Sequence, residues 1–124
     1  MKNFFKGLFF SLLIFVGNLS ASPIQAYYCF VTAQPSIIID AFDENFEKLA
    51  SKGVSTHRLY EFHLSGEYEF THCIVTDNSD SDQFEKSLKI MKGSEEGQAI
   101  LTKLSTVITK EVLNGAGTPI ASVG

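Results

Sequence analysis

The chain has 124 residues, 44% of them hydrophobic, with 11 Phe, no Trp and 19% charged residues. That length limits it to one compact domain, and so apolar a composition at a formal charge of −4 excludes a disordered acidic chain. No strong catalytic signature is present: the sequence lacks a Gly-x-Ser-x-Gly elbow, a phosphate-binding loop at Gly115 and Gly117, and a Cys-x-x-Cys redox pair.

Lys2 and Lys6 precede an apolar stretch from Leu8 to Val16, of signal-peptide rather than membrane-spanning length. Residues 1–21 therefore read as a signal peptide cleaved after Ala21, or as late as Ala26; the alternative is an uncleaved anchor or a buried N-terminal helix. Tyr27 and Tyr28 stand where a lipoprotein signal would carry small residues ahead of Cys29. The expectation is export to a periplasm or beyond, with no stable membrane insertion after cleavage. Without the two leader lysines, eight basic residues face 14 acidic ones, a charge of about −6. With a single Arg, Arg58, and scattered lysines, no basic face forms for nucleic acid or for anionic lipid.

Aromatic and β-branched residues run without a break through 27–32 and predict a strand buried on both faces. Pro35 stops it and Ser36 offers an N-cap. Ile39, Phe42, Phe46, Leu49 and Ala50 then recur at helical spacing up to Gly53, with Asp40, Asp43, Glu44, Glu47 and Lys48 on the outer face. Residues 57–64 and 68–76 read as a hairpin turning at Ser65 and Gly66. Asp82 and Glu85 form a capping box for a second helix with Phe84, Leu88 and Met91 inside. Gly93 interrupts it and Ser94 caps a restart, after which Ile100, Leu101, Leu104, Val107, Ile108 and Val112 carry the stripe to an Asn114-Gly115 terminus, with a final edge strand near Ile120 left open. The acidic 77–82 segment fails as a calcium loop, because Gln83 and Lys89 occupy the positions that need Gly and Glu.

This order predicts an α+β domain over 27–124: a ferredoxin-like split βαβ antiparallel sheet with the helices on one face. Tyr27, Cys29 and Val31 leave the other face as apolar as Tyr28 and Phe30 leave the first, so a symmetric partner is needed to cover it. A homodimer is expected.

The stretch through Leu59, Tyr60 and Phe62, the return through Tyr68, Phe70, Ile74 and Val75, and a Phe84 helix broken at Gly93-Ser94 before Leu101 and Leu104 resemble the dimeric α+β barrel superfamily, in its antibiotic biosynthesis monooxygenase-like branch. The resemblance spans roughly 27–113. It implies a small aromatic or apolar ligand, no cofactor, and cofactor-independent monooxygenase-like chemistry. The haem-degrading branch depends on a Trp, which this chain lacks.

All three histidines, His57, His63 and His72, fall in the hairpin. A two-residue turn would place them with Glu61 on one face, as a metal-binding module for zinc or copper. A three-residue bulged turn moves His72 across and gathers Tyr60, Phe62, Leu64, Tyr68, Phe70 and Ile74 on one apolar face; the burial of so many aromatics favours it. In that register no metal site forms, and a pocket between sheet and helices would use Tyr60, Phe62, Tyr68 and Phe70 to bind substrate and His72 and His63 to steer a proton, while His57 is structural. Cys29 and Cys73, 44 positions apart on neighbouring strands, form either a disulfide or two buried thiols. Three functional readings follow: a small-ligand binding or monooxygenase-like protein, a periplasmic metal-binding module, and a non-catalytic structural subunit.

Overall fold

The computed structural model describes residues 22–63 and 66–120; the leader read at residues 1–21 and the turn residues 64–65 lie outside the described residues. Four strands form one antiparallel sheet in the order β2-β3-β1-β4: β1 is Ile24–Thr32, β2 Thr56–Glu61, β3 His72–Asn78 and β4 Ile108–Gly117. Three helices, α1 (Pro35–Lys52), α2 (Ser81–Gly93) and α3 (Glu95–Val107), supply the apolar cover of one face. This is the ferredoxin-like α+β architecture expected from the order of elements.

Local chemistry sets the helix ends. Pro35 opens α1, where a missing N–H costs nothing, so Ser36 lies inside the helix instead of capping it. Gly53, at φ 102°, ends it in the left-handed region, and its N–H reaches the Ala50 carbonyl at 3.0 Å. Asp80, two residues before the expected capping box, caps α2 by accepting from the Gln83 N–H at 2.8 Å. Ser94 accepts from the Gly97 N–H at 3.0 Å and starts α3. A Cβ at Gly97 would stand 2.1 Å from the Met91 carbonyl oxygen, so only glycine permits so tight a junction between α2 and α3.

Two expected elements are different. The last helix stops at Val107, and the segment expected to continue it becomes β4, pairing with β1 from Thr32↔Ile108 to Gln25↔Gly117. Ile108 and Val112 satisfy helical spacing, but β-branched Ile108 and Thr109 also suit a strand, and pairing along β1 decides the outcome. The hairpin register is also new. Glu61 faces His72 and Thr56 faces Asp77, and the Phe62 N–H bonds the Thr71 carbonyl at 2.8 Å, so the connection is much longer than the two or three residues expected. Relative to the bulged-turn register the pairing is displaced by three residues, an odd number, which moves Tyr60 to the opposite face from Ile74.

The cause is long-range. β3 is held along β1 by seven consecutive pairs, Ile24↔Asn78 to Phe30↔His72, and Cys29 lies directly opposite Cys73, to which it is joined by a disulfide. Even-numbered β1 residues point to the helices: Phe30 is fully buried, Tyr28 nearly so, and both pack with Ile38, Leu49, Ile100 and Leu104. A smaller cluster of Ile24, Ala26, Phe84 and Leu88 closes the other end. The opposite face carries Tyr27, the disulfide, Val31, Arg58, Tyr60 and Val75, with no cover from the helices among the described residues.

Candidate functional site

The helix-covered face places His57 where sheet, α1 and α2 meet. β2 starts after Ser55, and its parity sends His57 and Leu59 inward, toward Phe42 and Phe46 of α1. The imidazole lies between these rings, with centroids 5.4 Å from Phe42 and 5.7 Å from Phe46. Nδ1 is 2.8 Å from the Ser55 carbonyl. A carbonyl only accepts, so Nδ1 carries the proton and Nε2 of the neutral ring keeps its lone pair. Burial lowers the His57 pKa, and the bond to the carbonyl offsets only part of that shift. The ring is therefore a neutral hydrogen-bond acceptor at its Nε2.

Two hollows share His57, Phe42 and Ile74 as walls. The inner one, about 60 Å³, lies between sheet and helices among Tyr28, Phe84, Leu88 and Met91, with Ser55 and Ser87 as polar groups. It has room for water, not for an aromatic ring. Its two hydroxyls are 3.1 Å apart, and Ser87 Oγ also accepts from the Ser55 N–H at 3.2 Å. Two serine protons share one bond between them, so one remains to be donated into the hollow. The outer one is a groove of about 150 Å³ between α1 and β2, walled by Ile39, Phe42, Asp43, His57, Leu59 and Ile74. That volume admits a body the size of benzene.

The residues expected to build the site stand elsewhere. His72 is buried, stacked 6.4 Å from Phe30, with Nδ1 2.8 Å from Thr71 Oγ1. His63 is exposed beyond the end of β2. Tyr60 lies on the uncovered face, where its hydroxyl accepts from Arg58 at 2.8 Å. Phe62 and Phe70 meet edge to face at 5.0 Å beyond the strand ends, and Tyr68 is exposed in the connection. None of these six lines either hollow: the register displacement puts Tyr60 on the uncovered face, Phe62, His63, Tyr68 and Phe70 lie outside the paired strands, and His72, on the helix face, is packed against Phe30 at the far end of β3. The three-histidine site does not assemble either: His57 and Glu61 are four residues apart on an extended strand, about 13 Å, and no group of three or more His, Cys, Asp or Glu side chains gathers among the described residues.

His57 instead takes the position expected of His72, and Ser55 and Ser87 join it without having been anticipated. Ser87 had a signal: it interrupts the apolar stripe of Phe84, Leu88 and Met91, where a hydroxyl needs a buried partner. A second polar pair lies toward β4. Burial, with the neighbouring Glu111 carboxylate, holds the Tyr28 phenol far above the usual range, and burial raises Glu111 while its bond from Tyr28 lowers it.

No family model and no curated protein matches the chain. Solved structures do. SnoaB, a cofactor-independent oxygenase from Streptomyces nogalater, aligns with a TM-score of 0.60 at 16% identity over 83% of this chain and 98% of its own. A dimeric ferredoxin-like protein of unknown function from Thermobifida fusca gives 0.59 at 11% identity over 80% of this chain and 92% of its own. A DABB family protein with a ferredoxin-like fold from Mesorhizobium loti gives 0.59 at 12% identity over 81% and 99%. At such identities the likeness is one of fold alone, and the fold is the ferredoxin-like one for which two of these structures are named.

Proposed function

We propose that this chain is an exported homodimeric protein that binds a small apolar or aromatic molecule at the α1–β2 edge of its helix-covered face. The observation that carries the reading is His57: a neutral imidazole, fixed by Ser55 and two Phe rings, in the shared wall of a benzene-sized groove and an inner hollow. A ligand in the groove contacts Phe42, Leu59 and Ile74 and lies against the fixed His57 ring. The likeness of fold to a cofactor-independent oxygenase supports a monooxygenase-like reaction, in which His57 Nε2 would accept the substrate proton.

Export is supported by the leader and by the Cys29–Cys73 disulfide, which suits an oxidising compartment. Dimerisation is supported by the uncovered face and by the dimeric relative of the same fold. No helix among the described residues is long and apolar enough to cross a membrane.

The test is a ligand-observed NMR screen of small aromatics against the purified protein and His57→Phe, alongside sedimentation and oxygen-uptake assays. The expected result is twice the protomer mass and a set of binders lost or weakened in the variant. Binders indifferent to His57→Phe, or no binders, would overturn the site, and a monomer at high concentration would overturn the dimer. Absence of oxygen uptake with every binder would leave binding without the oxygenase reaction.

A further inference from the structure

The groove between α1 and β2 offers acceptors. Asp43 contributes a carboxylate at its exposed side, and His57, whose Nδ1 is taken by the Ser55 carbonyl, is part of the wall, leaving Nε2 as its acceptor. The one cationic residue along the wall among the described residues, Arg58, turns its guanidinium to the opposite face of the sheet. There it lies 5.6 Å from the centre of the Tyr60 ring and reaches Asp77 at 2.5 Å. The remaining walls, Ile39, Phe42, Leu59 and Ile74, are apolar. Elsewhere along its length α1 carries Asp40, Glu44 and Glu47 against Lys48 and Lys52, and Lys52 is engaged by Glu96 of α3. With the Arg58 guanidinium turned away, Asp43 is the charged group left to the groove, which disfavours an anionic ligand.

We propose that this groove takes a primary ammonium group carried on a small aromatic or apolar body, with Asp43 and His57 Nε2 accepting its N–H groups and Phe42 presenting a ring to the cation. An ammonium has three donors and no acceptor, which matches a site furnished with acceptors; a neutral hydroxyl uses His57 but gains little from Asp43, and a carboxylate gains nothing. The inference rests on the reading that the groove holds a ligand and adds its chemical class; it requires no reaction.

The experiment compares benzylamine, benzyl alcohol and benzoate by NMR titration of the purified protein, with Asp43→Asn, Glu44→Gln and Ile39→Trp as variants. Benzylamine should bind about tenfold more tightly than benzyl alcohol, as expected for a charge-assisted contact, and benzoate should not bind. Asp43→Asn should remove that preference while leaving benzyl alcohol unchanged. Glu44→Gln, the same loss of charge outside the groove, should preserve it. Ile39→Trp should weaken both binders by filling the groove. Equal binding of benzylamine and benzyl alcohol overturns the ammonium proposal but leaves the aromatic-ligand reading intact, and absence of all binding overturns both. Equal loss of preference in Asp43→Asn and Glu44→Gln, or binding indifferent to Ile39→Trp, overturns the assignment to this groove.

Discussion

The two faces of the sheet solve the same problem differently. On the helix-covered face, Tyr28 and Phe30 are 8% and 0% exposed because three helices of the same chain pack on them. On the other face, Tyr27 and Tyr60 remain 42% and 41% exposed, and the best-covered groups, Cys29 and Cys73, are joined to each other. Strand alternation places these sets one residue apart, so hydrophobicity along β1 does not distinguish them. What distinguishes them is which side the crossover helices occupy. The covered side contributes stability and a hollow; the uncovered side leaves aromatic rings exposed, the surface that the proposed dimer would bury.

The contrast breaks most strongly at Phe30. Truncating this fully buried ring in Phe30→Ala should cost about 3 to 5 kcal/mol in denaturant unfolding; a loss below about 1 kcal/mol would mean that the covered core is not the main source of stability. Next comes the cross-link on the other face. Removing it in the double variant Cys29→Ala, Cys73→Ala should cost about 2 to 4 kcal/mol, chiefly by releasing loop entropy in the unfolded chain. An unchanged unfolding midpoint would show the bond to be dispensable.

A smaller effect comes from His57. Burial keeps its folded pKa below the unfolded value of about 6.5. Between those values the unfolded chain binds a proton that the folded chain does not, so this residue makes stability fall as pH falls through that window. The stability difference between the native chain and His57→Phe should drop by up to about 1.4 kcal/mol per pH unit below about 6. A difference that stays flat from pH 7 to 5 would deny His57 its buried neutral state. The least effect on protomer stability is expected from Tyr27→Asp, a shift under about 1 kcal/mol, but the same change should halve the mass seen in sedimentation. Dimers that survive it would move the interface elsewhere.

Much of the architecture was legible because strong local signals coincide with it. Pro35 and Gly53 bracket α1, Gly93-Ser94 marks the α2–α3 junction, and the unbroken apolar run around Tyr28 marks a central strand. The miss at β4 arose because Ile108 and Val112 fit two periodicities, and the miss in the hairpin because Ser65-Gly66 looks like a tight turn. The candidate site suffered most from the second. A displacement of three residues removed Tyr60 from the groove and left His57 to take the position expected of His72, and nothing in the spacing of the histidines signals that Phe42 and Phe46 would close around His57.

From its own residues the sequence determined the class of fold, the helix boundaries near α1, the break between α2 and α3, and a central strand apolar on both of its faces, since capping, backbone preference and burial act over a few residues. Only the tertiary structure decided the strand register, the conversion of the last helical stretch into β4, the Cys29–Cys73 bond and the identity of the histidine at the groove. Those depend on pairing between β1 and its neighbours, whose contacts join residues more than 40 positions apart, and such contacts outweigh the local turn and helix preferences that a sequence displays.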